Sequence, residues 1–265
     1  MTNDMPTPQY LERPDGLKIA YHATPGKLTE VQGQQKPGVL FLGGFMSDMT
    51  GTKATHLEAH CVQQGLAYTR FDYSGHGQSA GMFKDGTIGQ WARDAIAIID
   101  EITTGPLILV GSSMGGWIML LAALARKERI AGLVGIAAAP DFTEDLMWAQ
   151  FTDAQKSDIV ENGALIEPTE YGDEPYTITH ALIEDGRNQL LLRNPINLEC
   201  PVRLIQGMQD PDVPWQTSIR LTEALVSKDV RIDLIKTGDH RLSEPDQLDV
   251  ITKHLDEIIE KVTVG

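Results

Sequence analysis

Short apolar runs bounded by turn residues recur along this chain between segments of helical spacing. A chain with that rhythm builds a mostly parallel sheet wrapped by helices. The runs are 38–42 (GVLFL), 67–72 (AYTRFD), 107–111 (LILVG), 133–137 (LVGIA), 202–206 (VRLIQ) and 231–235 (RIDLI). Most are apolar almost throughout, as strands covered on both faces must be. Ahead of them, 9–12 and 18–22 straddle Pro14-Asp15-Gly16, which predicts an antiparallel hairpin at the sheet edge and brings the expected strands to eight. Ile88, Trp91, Ala95, Ile98, Ile99 and Ile102 share one helical face, with Thr87 and Gln90 as a capping box and Gly105 beyond the end. A last helix starts near Pro245 and buries Leu248, Ile251, Leu255, Ile258 and Val262.

One interval breaks the rhythm. Residues 141–199 show no clear strand, several aromatics (Phe142, Trp148, Phe151, Tyr171, Tyr176) and a turn-like stretch at 170–175. A bare loop of that length is improbable inside a compact domain, so a helical lid is expected, with extra helices packed as core as the competing reading. The expected organisation is an α/β core from 1–140 and 200–265 with a lid or cap insertion at 141–199.

Composition excludes several classes. Hydrophobic residues at 42% and charged residues at 22% over 265 positions rule out wholesale disorder. Net charge is −15, from 22 basic and 37 acidic residues, and a body that negative repels nucleic acid and anionic lipid. The longest strongly apolar stretch, 117–125, falls short of the roughly 20 residues that span a bilayer. The start MTNDMPTPQY has neither a basic nor an apolar leader region, so a soluble, unexported protein is expected. Cys61 and Cys200 lack metal-binding or redox spacing and read as reduced core residues.

The pattern G-x-S-x-G occurs twice. Gly77-Gln78-Ser79-Ala80-Gly81 leads into the polar stretch MFKDG with no helix to open, and is set aside. Gly111-Ser112-Ser113-Met114-Gly115 follows the strand LILV and runs into an apolar helix, the strand, turn and helix that expose a nucleophilic serine. Glycines at 111 and 115 relieve the crowding of such a turn.

A serine needs a base to take its proton, and the base needs an acid to hold its tautomer. Downstream, Asp210 follows one late strand and His240 the next, which places both at the carboxyl ends of adjacent strands, where open α/β sheets build their sites. Asp212 and Asp141 remain open as alternatives for the acid, while Asp239 reads as a shaper of the turn beside His240. For the oxyanion, the N–H of Met114 is one donor, and the turn after the first core strand supplies the second, with Phe45 ahead of Gly44. Trp148 and Trp215 are candidates for lining an acyl pocket, alongside Phe45 and Gly44. Gly75, Gly77 and Gly81 imitate a dinucleotide loop without its helix, and His56 and His60 lack the glutamate of the zinc-protease motif. No metal or cofactor is expected. Asp72 and His76 read as structural, positioning the loop beside the serine turn.

Taken together, FLGGFMSDMTGTKA, RFDYSGHGQS, ILVGSSMGGWIML, CPVRLIQGMQDPDVPWQTS and DHRL resemble the abhydrolase-domain-ten group of the α/β-hydrolase superfamily. That group comprises mitochondrial enzymes described as palmitoyl-protein thioesterases and acyl-glucuronide esterases. The resemblance extends over nearly the whole chain and is weakest at 141–199. It implies Ser113, Asp210 and His240 as a triad and, without the mitochondrial presequence, a bacterial relative working in the cytoplasm. The expected function is a cofactor-independent serine hydrolase of esters or thioesters, acting on a small-molecule or acylated-peptide substrate. A ligand-binding module on a hydrolase scaffold is the rival, and its weakness is that all three chemical positions are filled. The only basic residues noted in the lid for holding an anionic substrate are Lys156, Arg187 and Arg193.

Overall fold

The computed structural model describes residues 7–27, 30–31, 34–167 and 175–264. Tyr171 and the turn-like stretch up to residue 174 lie outside the described residues. The main sheet is built from β1 (Gln9–Glu12), β2 (Lys18–Thr24), β3 (Gly38–Leu42), β4 (Tyr68–Phe71), β5 (Leu107–Ser112), β6 (Ile130–Ile136), β7 (Val202–Gly207) and β8 (Val230–Ile235). Their order across the sheet is β1-β2-β4-β3-β5-β6-β7-β8. β1 pairs antiparallel with β2, and β2 antiparallel with β4; every later pairing is parallel. The eight-stranded, mostly parallel sheet expected from the alternation is the one that forms.

The helices are α1 (Thr52–Gln64), α2 (Ile88–Glu101), α3 (Met114–Ala125), α4 (Asp153–Asn162), α5 (His180–Arg187), α6 (Gln216–Ala224) and α7 (Pro245–Val264). Strand alternation divides the core into two layers. Leu40 and Leu42 of β3 and Leu109 of β5 face α2 and α3, where Trp91, Ile98, Ile99, Trp117 and Ile118 are fully buried. Val39, Phe41, Ile108 and Val110 face the other way, onto Leu57 and Cys61 of α1 and Ile251, Leu255 and Ile258 of α7. Each large apolar side chain removed from water this way contributes about 1.5–3 kcal/mol, which explains why both faces of the central strands read as apolar. The Thr87 side chain accepts from Gln90 N–H and starts α2, but the Gln90 side chain turns to Asp94 and Arg93, so only the N-cap half of the expected capping box forms. Cys61, buried, and Cys200, only half-buried rather than in the core, are free thiols, and burial pushes them up to about 12 and about 11.

Residues 141–199 contain more than helices. Thr143–Trp148 winds as a π-helix, α4 and α5 follow, and between them Ala164–Glu167 pairs antiparallel with Tyr176–Thr179. This hairpin corrects the expectation of a strandless segment. Four-residue strands with a half-exposed pattern carry too little alternation to stand out in a sequence, and only the pairing reveals them. Ile159, Ile178 and Ile183 form a small core of their own here, joined by Met147, Phe151 and Leu165. The segment is pinned to α2 and α3 by polar contacts. The N–H of Gly89, at the start of α2, donates to the Asp185 carboxylate of α5 (2.6 Å), and Trp117 Nε1–H donates to the carbonyl of Gln189 (3.2 Å).

Candidate active site

Ser113 stands at the turn between β5 and α3 with φ 54° and ψ −120°, a strained conformation for a residue with a side chain. Three backbone hydrogen bonds hold it there: Ser113 N–H to Ile136 O (2.9 Å), and Ala139 N–H (3.0 Å) and Gly116 N–H (2.8 Å) to Ser113 O. Glycine is required on either side by space. A Cβ at position 111 would lie 2.4 Å from the Gly115 carbonyl oxygen, and one at 115 would lie 2.1 Å from that of Leu42. The strand and helix therefore meet at backbone contact, and the serine side chain is pushed out above the sheet edge.

The acid and the histidine arrive from the next two strands. His240 Nε2 lies 3.0 Å from Ser113 Oγ, and His240 Nδ1 lies 2.8 Å from Asp210 Oδ2. Asp210 Oδ1 accepts from the N–H groups of Asp212 (2.9 Å) and Val213 (2.8 Å), and Oδ2 also accepts from Gln206 Nε2 (2.9 Å). With the imidazole included, all four lone-pair positions of this carboxylate are used, so it cannot swing away from His240. The two loops are drawn together because Gln209 N–H donates to the Gly238 carbonyl (2.9 Å), and a Cβ at Gly207 would sit 2.3 Å from that same oxygen. Asp210, Asp212 and His240 present ligand atoms within 4.8 Å of one another. The direct Asp210–His240 bond makes this cluster an acid–imidazole pair.

Of the alternative acids, Asp212 stays beside the pair, lining the same cavity and donating its N–H to Asp210, whereas Asp141 is engaged elsewhere. Asp141 is fully buried, and its carboxylate accepts from Leu191 N–H (2.8 Å), Leu192 N–H (2.9 Å) and Arg193 Nη1 (2.8 Å). Burial pushes its carboxyl above the usual range, against those hydrogen bonds. It anchors the return of the 141–199 segment. Asp239 accepts from Leu242 N–H (3.0 Å) and shapes the histidine turn. In the second G-x-S-x-G, Ser79 Oγ accepts from Ala20 N–H (2.8 Å) and donates to the Asp72 carbonyl (2.6 Å), tying that loop to β2.

The turn after β3 faces Ser113. A Cβ at Gly44 would touch Ser113 Cβ at 3.4 Å, so the backbone of 44–45 runs beside the serine. Met114 opens α3, where helix geometry leaves the first-turn N–H groups without intrahelical partners. Ser113, Met114, Gly44, Phe45 and His240 all line one cavity of about 840 Å³. Phe45, Phe142, Leu146, Met147, Tyr176 and Val213 give it an apolar wall, and Ser47, Lys53, Asp212 and Arg241 also line it. Trp148 and Trp215 do not line it. The Trp148 ring is instead faced by Arg187 (4.6 Å from its centroid) and Lys156 (5.7 Å).

Sequence reasoning missed two neighbours of the Ser113, His240 and Asp210 cluster. Gln206 is fully buried in β7, donates to Asp210, and accepts from Ser218 Oγ (3.1 Å). The signal available was a polar side chain ending an otherwise buried strand. Lys53, at the start of α1, donates through Nζ to the carbonyl of Arg241, beside His240. Burial lowers its ammonium to about 8. The cations of the cavity are thus Lys53 and Arg241. Of the three basic residues singled out at 141–199, Arg187 pairs with Glu144 and Glu184, Arg193 pairs with Asp141 and Asp145, and Lys156 lies over Trp148.

A serine on a strand-to-helix turn, in a sheet of this order, with an acid and a histidine from two later strands, defines an α/β-hydrolase. The family model described as serine aminopeptidase, S33, matches residues 33–167. Mitochondrial palmitoyl-protein thioesterase ABHD10 of Bos taurus is 40% identical over 255 residues, covering 96% of this chain and 80% of that protein. Among solved structures, a putative hydrolase from Agrobacterium vitis S4 superposes with a TM-score of 0.89 at 40% identity, covering 95% of this chain and 98% of the other. Mouse alpha/beta hydrolase domain-containing protein 10 gives 0.87 at 37% identity, covering 97% and 100%. The chain belongs to the ABHD10 family of α/β-hydrolases, and is a serine hydrolase of the ABHD10/esterase type.

Proposed function

We propose that this chain hydrolyses carboxylic esters or thioesters of apolar acyl groups through an acyl-enzyme on Ser113. The observation that carries the reading is the unbroken chain from Ser113 Oγ to His240 Nε2 (3.0 Å) and from His240 Nδ1 to Asp210 Oδ2 (2.8 Å), opening on a cavity with an apolar wall. His240 takes the serine proton as Oγ attacks the acyl carbonyl, and Asp210 holds the imidazole in the required tautomer and stabilises its charged form. Negative charge on the former carbonyl oxygen is received in this reading by the N–H groups of Phe45 and Met114, since fixed backbone donors need no rearrangement during the reaction. The imidazolium then protonates the departing alcohol or thiol. Water, deprotonated by His240, attacks the acyl-enzyme and releases the acid, which restores Ser113.

The 141–199 segment serves in this reading as the cap over the core. It supplies Phe142, Leu146, Met147 and Tyr176 to the apolar wall, so it selects the acyl group, while the core carries the chemistry. A protein thioester is one substrate compatible with this cavity, in keeping with the name of the ABHD10 relatives. The test is a profile of p-nitrophenyl acetate, p-nitrophenyl laurate and an S-palmitoyl peptide on the purified protein, with Ser113→Ala as control. Turnover that rises with acyl length and vanishes in Ser113→Ala is expected. Absence of turnover, together with no fluorophosphonate labelling of the intact protein, would replace the reading with a ligand-binding role.

A further inference from the structure

His76 is a buried histidine that the reaction above does not use. Its ring, 4% exposed, lies beside the turn after β3. Met46 N–H donates to His76 Nε2 (3.2 Å), while the ring's Nδ1–H donates to the Ser74 carbonyl (3.3 Å). Burial drives the imidazolium down to about 4, so the ring is neutral at pH 7, and the Ser74 contact leaves Nε2 as a bare acceptor.

Met46 is where this acceptor matters. Ser47 N–H donates to the Gly44 carbonyl (3.2 Å) and closes a four-residue turn, in which Met46 has φ 53°. That third position belongs to glycine in turns with a positive φ, and a residue with a side chain stays there only where its surroundings hold it. The preceding residue, Phe45, carries an N–H proposed to receive the oxyanion. Its ring meets Phe83, Trp91, Phe142 and Tyr176 edge-on at 4.8–6.0 Å, and His76 meets Phe83 and Trp91 edge-on at 5.1 Å each. The same two rings therefore brace the side chain of Phe45 and the imidazole that grips the next N–H.

We propose that His76 is a positioning residue for the oxyanion turn: by accepting the Met46 N–H it holds Met46 in its left-handed conformation and aims the Phe45 N–H at the reacting oxygen. This rests on the hydrolase reading above. A purely structural histidine in the same place would cost stability when replaced, but would leave the transition state untouched.

The experiment compares the intact protein with His76→Phe and His76→Leu, which remove the acceptor, and His76→Gln, whose amide oxygen retains one. kcat and KM for p-nitrophenyl butyrate are measured separately, together with inhibition by an alkyl trifluoromethyl ketone, whose hemiketal oxygen occupies the oxyanion position. Expected for the acceptor-free variants is a kcat lower by about 30- to 100-fold with KM within about threefold, and a parallel loss of ketone affinity. His76→Gln recovers kcat to within about fivefold of the unaltered protein. A folded Phe or Leu variant with kcat within about threefold, or a Gln variant no better than Phe, overturns the proposal. Should neither acceptor-free variant fold, the imidazole nitrogen-15 shifts of the unaltered protein decide: a protonated Nε2 at pH 7 overturns it, and a bare Nε2 beside a protonated Nδ1 supports it. Full activity in Ser113→Ala would defeat the underlying hydrolase reading instead, so the two failures are distinguishable.

Discussion

The sheet region and the 141–199 segment are held together in different ways. In the sheet region, parallel strands are covered on both faces by helices, and backbones touch where β5 turns into α3. In the 141–199 segment, three fully buried isoleucines and a two-stranded hairpin form a thin core, docked through individual polar contacts such as Asp185 to Gly89 N–H. The difference teaches where tolerance lies. Ser113, His240 and Asp210 sit on the densely packed region, and four of the six apolar side chains of the cavity, Phe142, Leu146, Met147 and Tyr176, come from the thinly packed one, which under the proposed function would meet the acyl group.

The largest effect is expected from Ser113, the proposed nucleophile. Ser113→Ala should lower kcat for any acyl ester by about 10⁵-fold or more while leaving the thermal midpoint within a few degrees, as read by esterase assay and calorimetry. Retained turnover would move the chemistry out of the sheet region altogether. Next, Gly115→Ala forces a methyl group against the Leu42 carbonyl at 2.1 Å and should cost about 4 kcal/mol in urea unfolding, with activity lost alongside.

A pH experiment comes third. Burial lowers His76 from 6.5 to about 4, so between those values the unfolded chain binds a proton that the native ring refuses. Its contribution is complete above pH 6.5 and is lost as pH falls toward 4, amounting to about 2–3 kcal/mol by pH 4.5. Asp72, Asp94 and Asp141, whose carboxyl groups burial pushes upward, act with the opposite sign in acid. The comparison is therefore with His76→Gln, which should lose less stability than the unaltered protein between pH 6.5 and 4.5.

Smaller effects belong to the 141–199 segment. Ile183→Ala should cost about 2 kcal/mol locally, visible as earlier hydrogen exchange in α4 and α5, and should reduce turnover of p-nitrophenyl laurate more than that of the acetate. Equal reductions for both esters would mean that the segment does not select the acyl group. Gly163→Ala is the mildest. Gly163 has φ 83° with open space around it, so alanine should cost only about 1 kcal/mol by urea unfolding, against about 4 for Gly115. The contrast between these two glycines measures the difference between the regions directly.

Legibility followed the same division. The six strand runs, five of them buried and the sixth a half-exposed edge, together with the edge hairpin and both apolar-striped helices, could be read because each carries a period its own residues impose. The serine turn was legible through glycines that only a close strand–helix contact requires. The hairpin at 141–199 was not, since its strands are four residues long and pair with each other across residues of no regular pattern. Trp148 and Trp215 looked like pocket walls because large aromatics often are, but no sequence pattern says which side of a helix or loop will meet the cavity.

By itself, then, the sequence determined the sheet, the position of Ser113 at its centre, and the chain order of serine, acid and histidine, because hydrophobic period and glycine spacing act locally. Tertiary structure alone decided which carboxylate reaches His240. Asp141 and Asp210 both follow core strands, yet one is consumed by the backbone of 191–192 and Arg193 while the other bonds the imidazole. It also decided that the cavity's cations are Lys53 and Arg241, and that His76 meets Met46. Each of those choices joins residues 30 to 188 positions apart, and such meetings depend on how the loops pack above the strand ends, which no local period encodes.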